Sequence, residues 1–109
     1  MRALVAAALL VAATGACSAE APKICAAKAD FARGTAFAVD DLKKRLSPLG
    51  VPNDKKTWED VDSSCGVMTM MSGFAAMPRL QVGTGVSMDL QVAGKNGRCM
   101  ATVVSLDGC

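Results

Sequence analysis

The sequence predicts an α+β fold, with two or three short N-terminal helices packed on a small antiparallel β-meander and stabilised by disulfides. Three observations predict it. Apolar residues recur at helical spacing in the first half of the chain and at a spacing of two in the last third, and cysteines occur in both parts. A domain of about 90 residues buries a modest share of its surface, so disulfides would supply much of its stability.

Three helices are expected before residue 67. The first covers about residues 23–33, where apolar side chains recur every three or four positions. The second begins at Asp40 as its N-cap, because acidic residues precede basic ones along it and so match the helix dipole. The third is short, covers residues 57–66 and ends at Gly66.

Strands are expected after the third helix. Apolar and polar residues alternate from Val86 to Val92, which predicts a strand with one buried face. Residues 94–97 form a hairpin turn and residues 98–106 return beside the first strand, with Val92 near Cys99. Leu80 and Val82 indicate that the first strand begins earlier and bends at the glycines that follow. Residues 67–72 are a candidate third strand.

The cysteine spacing restricts the disulfides. The five cysteines are Cys17, Cys25, Cys65, Cys99 and Cys109. On one strand, Cys99 and Cys109 would lie roughly 33 Å apart, whereas a disulfide tolerates at most about 7 Å between Cα atoms. Two of the three possible pairings survive this limit, and we favour Cys25 with Cys99 and Cys65 with Cys109, because Cys99 faces the layer where the first helix should pack. If the last strand breaks near Asp107, the sequential pairing of Cys25 with Cys65 and Cys99 with Cys109 becomes feasible again.

The N-terminal segment reads as an export signal. Arg2 is followed by an uncharged apolar run from Leu4 to Thr14, which at about 11 residues is too short to span a bilayer. Small residues then lead to Cys17. This ending resembles the lipobox of bacterial lipoproteins, which implies cleavage before Cys17 and attachment of acyl chains to its side chain. The expected organisation is a signal peptide at 1–16, a lipidated tether at 17–22 and one small α+β domain at 23–109.

The same resemblance predicts a location. Two or three acyl chains hold a protein stably on a membrane. Asp after the modified cysteine resembles an inner-membrane retention signal, and this chain has Ser18 there, so delivery to the outer membrane, facing the periplasm, is expected. Ordinary signal cleavage after Ala16 or Ala19 is the alternative and would leave a freely secreted protein.

Composition excludes several classes of function. The chain has 12 Lys plus Arg and 10 Asp plus Glu, and such a near balance gives no reason to expect nucleic acid as a partner. Histidine is absent, which removes the usual base of nucleophilic catalysis. The paired carboxylates at Asp40–Asp41 and in residues 59–62 fit helix N-termini. We therefore expect no enzyme activity and no cofactor.

Two side-chain clusters are candidate binding sites. Met68 and Met70 on a strand would place both sulfurs on one side, an arrangement that suits Cu(I) and resembles the Met-x-Met element of periplasmic copper carriers. Those carriers also use a histidine, so no metal site is assigned and packing of a small core is the preferred interpretation of the methionines. The cations of residues 43–45 and 55–56 are interpreted as a solvated face.

The sequence therefore predicts an envelope lipoprotein with a non-catalytic binding or adaptor domain. Its partners would be the membrane, through the lipid on Cys17, and a protein of the envelope. The alternatives are a periplasmic Cu(I)-binding protein that uses methionines and a small secreted disulfide protein resembling an inhibitor.

Overall fold

The computed structural model describes residues 22–71 and 73–109. The predicted lipid site at Cys17 and the signal peptide lie outside these residues. In order, the elements are α1 (Lys23–Ala26), a 3₁₀ turn (Lys28–Phe31), β1 (Ala36–Ala38), α2 (Val39–Leu46), a 3₁₀ turn (Ser47–Leu49), α3 (Glu59–Met68), β2 (Arg79–Gly83), β3 (Val86–Lys95) and β4 (Arg98–Asp107). The predicted combination of helices and an antiparallel sheet is confirmed. The helices do not all precede the strands, because β1 lies between α1 and α2.

The sheet has the order β1-β4-β3-β2, and every neighbouring pair is antiparallel. The β3–β4 hairpin turns through two residues, Asn96 at φ 55° and Gly97 at φ 77°, and such positive angles define a type I′ turn. This turn is shorter than predicted, so Val92 lies opposite Ala101 rather than Cys99. The shift is two residues, which leaves the predicted buried side chains on the same face of the sheet.

Leu80 and Val82 were predicted to belong to an early start of the first hairpin strand, but they lie in a separate strand. Residues 79–83 form β2, which turns at Thr84 and Gly85 and pairs back along β3. The register is irregular between Gln81 and Gly83, where the sequence predicted a bend.

The helices differ from their predicted limits. The first is a single turn that continues as 3₁₀, and the second begins at Val39 after Ala38, with no side-chain cap from Asp40. The third continues through Gly66 to Met68. The predicted third strand at residues 67–72 is therefore wrong, because its first two residues complete α3.

One apolar core joins the helices to one face of the sheet. Its largest fully buried side chains are Trp58, Ile24, Leu42, Leu46, Leu80, Met88, Leu90, Val51, Val61, Val86, Val92 and Val103. The Trp58 indole Nε1 donates a hydrogen bond of 2.9 Å to the Pro52 carbonyl oxygen. The one polar atom of this large side chain is thus satisfied within the core.

Two disulfides connect the layers, with Cα separations of 5.3 Å for Cys25–Cys109 and 5.5 Å for Cys65–Cys99. The favoured pairing was wrong, and the exclusion of Cys99–Cys109 was right. The error has a topological reason. The long α3 carries Cys65 to the hairpin end of β4, whereas the short α1 packs near β2 at the opposite end of the sheet, where β4 runs out towards Cys109.

Candidate functional site: an exposed methionine-rich segment

The exposed large hydrophobic side chains of the described residues are concentrated in one stretch. They are Val67, Met70, Met71, Phe74 and Met77, and their exposed fractions range from 38% for Met71 to 81% for Met70. We call residues 67–77 the methionine segment. Single exposed apolar residues are ordinary, but several in one short stretch indicate an interaction surface.

The segment begins as an extension of α3. The Thr69 amide donates to the Cys65 carbonyl oxygen at 3.1 Å, and the Met70 amide then donates to Val67 at 3.1 Å. The Thr69 hydroxyl also donates to the Cys65 oxygen, at 2.9 Å. The disulfide of Cys65 joins this end of the helix to β4. The first half of the segment is therefore fixed to the sheet by a covalent bond and a series of hydrogen bonds.

The other end of the segment pairs with the sheet. Ala76 and Val92 exchange two backbone hydrogen bonds of 2.9 and 2.8 Å, and the Leu90 amide donates to the Pro78 carbonyl oxygen at 3.0 Å. Pro78 has no N–H and cannot return that bond. Met77 stands between these contacts with 61% of its surface exposed. The Met77 side chain is thus exposed although the backbone on both sides of it is hydrogen-bonded to β3.

The end of α3 packs directly against the backbone of a glycine on β3, Gly94. A Cβ atom added to Gly94 would lie 2.5 Å from the Met68 carbonyl oxygen and 2.8 Å from the Thr69 Cα. No side chain fits in that space. Gly94 therefore sets how closely the methionine segment approaches the sheet.

An open cleft of about 260 Å³ lies where the segment meets the hairpin turn. Its lining residues are Met68, Thr69, Met70, Met71, Gly94, Asn96 and Gly97. Met68 and Met70 both reach it, although the strand that was predicted to align their sulfurs does not exist. None of the side chains that line this cleft is charged.

The interpretation of the methionines as core residues holds for only one of the described residues of this type. Met88 is fully buried, whereas Met70, Met71 and Met77 are exposed and Met68 and Met100 are half-buried. Alternation of apolar and polar residues placed Met88 on the buried face of a strand, whereas no periodic pattern in residues 67–77 marked which methionines would be exposed. Exposure was decided by which residues the sheet and helices left uncovered.

Two of the three basic residues of α2, Lys43 and Arg45, contact other parts of the domain. The Lys43 ammonium lies 2.8 Å from an Asp62 carboxylate oxygen and 5.5 Å from the centre of the Trp58 ring, so it links α2 to α3. The Arg45 guanidinium lies 5.3 Å from the Phe37 ring centre. Helical spacing places Lys44 four residues after Asp40 and Arg45 four residues after Asp41, but the described part of the chain shows no ion pair at either spacing.

The acidic residues also have structural partners. The Thr57 amide donates a hydrogen bond of 2.7 Å to the Asp54 carboxylate. Hydrogen bonds from the side chain and the backbone of Thr57 hold the pKa of Asp54 below its ordinary value. On β3, Asp89 accepts from the Arg79 guanidinium at 2.8 Å and from the Ser105 hydroxyl at 3.2 Å. The Arg79 hydrogen bond is the main cause that lowers the pKa of Asp89.

Residues 22–71 and 73–109 contain no group of three or more His, Cys, Asp or Glu side chains that would hold a metal ion. Within the same ranges, no helix has the length and apolar character needed to cross a membrane. No protein-family model, curated protein or solved structure matches the chain. Because it concentrates the exposed large apolar side chains of the described residues, the methionine segment is the candidate interaction surface.

Proposed function

We propose that this protein is an envelope lipoprotein, attached through Cys17 to the outer membrane and facing the periplasm, that binds a partner protein through its methionine segment. The observation that carries the proposal is the concentration of exposed large apolar side chains in residues 67–77, on a backbone held at both ends. Methionine suits such a surface because its flexible, polarisable side chain adapts to different apolar partners.

The position of the segment favours a protein over the lipid bilayer as its occupant. The chain enters the domain at Pro22, which lies against Gly83. Gly83 pairs with Val86 at one end of β3, and Gly94, which contacts the start of the segment, lies eight residues further along. At about 3.3 Å per residue, roughly 26 Å separate the two ends. A tether of residues 17–22 would hold the Pro22 end near the membrane and leave the start of the segment, beside Gly94, at the far end of the sheet.

The chemistry of the segment defines the partner surface. Residues 67–77 include no charged side chain. Recognition would therefore depend on burial of apolar area, with complementary aliphatic or aromatic side chains on the partner. Binding of this kind should change little with salt concentration, unlike the association of charged surfaces.

Site-specific photo-crosslinking in intact cells tests the proposal. A photoreactive phenylalanine analogue replaces Phe74 in one variant and Lys55, an exposed residue outside the segment, in the control. We expect one discrete protein adduct from position 74, absent from position 55 and lost when Met70→Glu is added. Met70 is 81% exposed, so this substitution should leave the fold intact. Adducts to lipid alone, or equal adducts from both positions, would contradict a protein partner.

The lipid anchor is tested separately by the intact mass of the mature protein. Cleavage before Cys17 with added acyl chains, and loss of that processing after globomycin treatment, are the expected results. A mature chain without acyl groups would instead support the secreted, inhibitor-like alternative.

A further inference from the structure

The backbone that follows α3 places two particular methionines one hydrogen-bonded turn apart. The Met71 amide donates to the Met68 carbonyl oxygen at 3.3 Å, which is the i to i+3 hydrogen bond of a 3₁₀ turn. In that geometry, side chains three residues apart lie one above the other. Met68 and Met71 both line the cleft beside Gly94. A strand would have aligned Met68 with Met70 instead.

The surroundings of this pair define the ligand that fits it. The cleft offers thioether sulfurs, the Thr69 hydroxyl and the Asn96 amide, and no carboxylate lines it. Hard divalent cations need several oxygen ligands, many of them charged, whereas neutral thioethers suit soft monovalent ions. The four cysteines of the domain are joined in disulfides and do not compete as thiolates.

We propose that Met68 and Met71 form a binding site for a soft monovalent cation of the Cu(I) class. Met70 also lines the cleft, but it is two residues from Met68 and so is not aligned with it in a turn of three residues, and we expect it to contribute less. The ion binds without a change of oxidation state, so no redox partner is required. This site uses residues of the methionine segment but does not depend on the protein partner proposed above.

Silver(I) is a suitable probe, because it has the same charge and softness as Cu(I) and resists oxidation. The full-length protein, in detergent micelles and with its methionine methyl groups labelled with ¹³C, is titrated with Ag(I) alone. We expect the Met68 and Met71 methyl signals to shift together and to saturate at one ion per chain. Each single Leu substitution at these two positions should weaken binding at least about tenfold. Losing a group that only orients a metal ligand typically costs about 10–100-fold in affinity, and losing the ligand itself should cost no less.

Matched variants separate this site from a general affinity of methionines for silver. Met77→Leu, in the same segment but outside the cleft, should leave the affinity unchanged. Similar shifts at Met77 and Met71, or unchanged affinity in the Met68→Leu, Met71→Leu double variant, would overturn the proposal. The double variant keeps an apolar surface, so crosslinking from position 74 should persist in it, and the two proposals can fail independently.

Discussion

Substitution of Gly94 by Ala should destabilise the domain, because the methyl group would overlap the backbone at the end of α3. The added Cβ would lie 2.8 Å from the Thr69 Cα, whereas carbon atoms in contact prefer about 3.5–4.0 Å. The helix end must therefore retreat by about 1 Å. The Cys65–Cys99 disulfide opposes this movement, since Cys99 is the register partner of Gly94 on β4.

The expected magnitude follows from two opposing effects. Overpacking costs about 1–3 kcal/mol, and the lower entropy of the unfolded chain that alanine brings returns about 0.4–1 kcal/mol. We expect a net loss of about 2 kcal/mol, in the upper half of the resulting range, because the disulfide restricts relaxation. With a urea dependence near 1 kcal/mol per molar, the unfolding midpoint should fall by about 2 M.

Gly66→Ala is the matched control for this prediction. Gly66 lies inside α3, and a Cβ added there would meet nothing within 4 Å. Alanine should therefore stabilise the helix by about 0.5–1 kcal/mol. Both variants are unfolded in urea with their disulfides intact. If Gly94→Ala unfolds at or above the wild-type midpoint, the close approach of α3 to β3 that positions the methionine segment is refuted.

Two further predictions concern the framework around the segment. Digestion without reduction should yield one peptide pair joining Cys25 to Cys109 and another joining Cys65 to Cys99, and a peptide pair joining Cys25 to Cys99 would contradict this pairing. Replacing the first pair of cysteines by Ala should lower the free energy of unfolding by about 4.6 kcal/mol and replacing the second pair by about 3.8 kcal/mol, as loop-closure entropy gives for separations of 84 and 34 residues. Arg79→Gln should raise the pKa of Asp89 towards its ordinary 3.8, since the Arg79 hydrogen bond is the main cause of its lowering. The lowered pKa means that ionised Asp89 stabilises the fold above its ordinary pKa and that this contribution is lost as the pH falls, so the variant should lose less stability on acidification. An Asp89 pKa that NMR titration finds unchanged would show that the ion pair does not form in solution.

Local patterns in the sequence were sufficient where neighbouring residues decide the structure. The alternation from Val86 to Val92 predicted which side chains of β3 are buried, and the residues Asn96 and Gly97 lie in the turn that residues 94–97 were expected to form. The third helix was predicted to start at residue 57, and α3 begins two residues later, at Glu59. In each case the determining interactions join residues that are close along the chain.

Features that depend on distant contacts were missed or misassigned. Val67 and Met68 were read as the start of a strand, because a short apolar run does not distinguish a strand from the end of a helix. The favoured disulfides were wrong because the length of α3, and hence the position of Cys65 above β4, is set by packing against β3. The pairing of Met68 with Met71 in one cleft follows from that same helix end and from the space that Gly94 leaves.

The sequence by itself determined that this chain has helices, from apolar residues three or four positions apart, and an antiparallel hairpin, from strict alternation. It excluded a Cys99–Cys109 pair only on the condition that the last strand stays extended, and the structure meets that condition because β4 runs to Asp107. Only the tertiary structure decided which methionines are exposed. Hydrophobicity favours burial of every apolar side chain, but a small domain has limited interior volume. The packing of α3 on β3 leaves five large apolar side chains exposed, those of Val67, Met70, Met71, Phe74 and Met77.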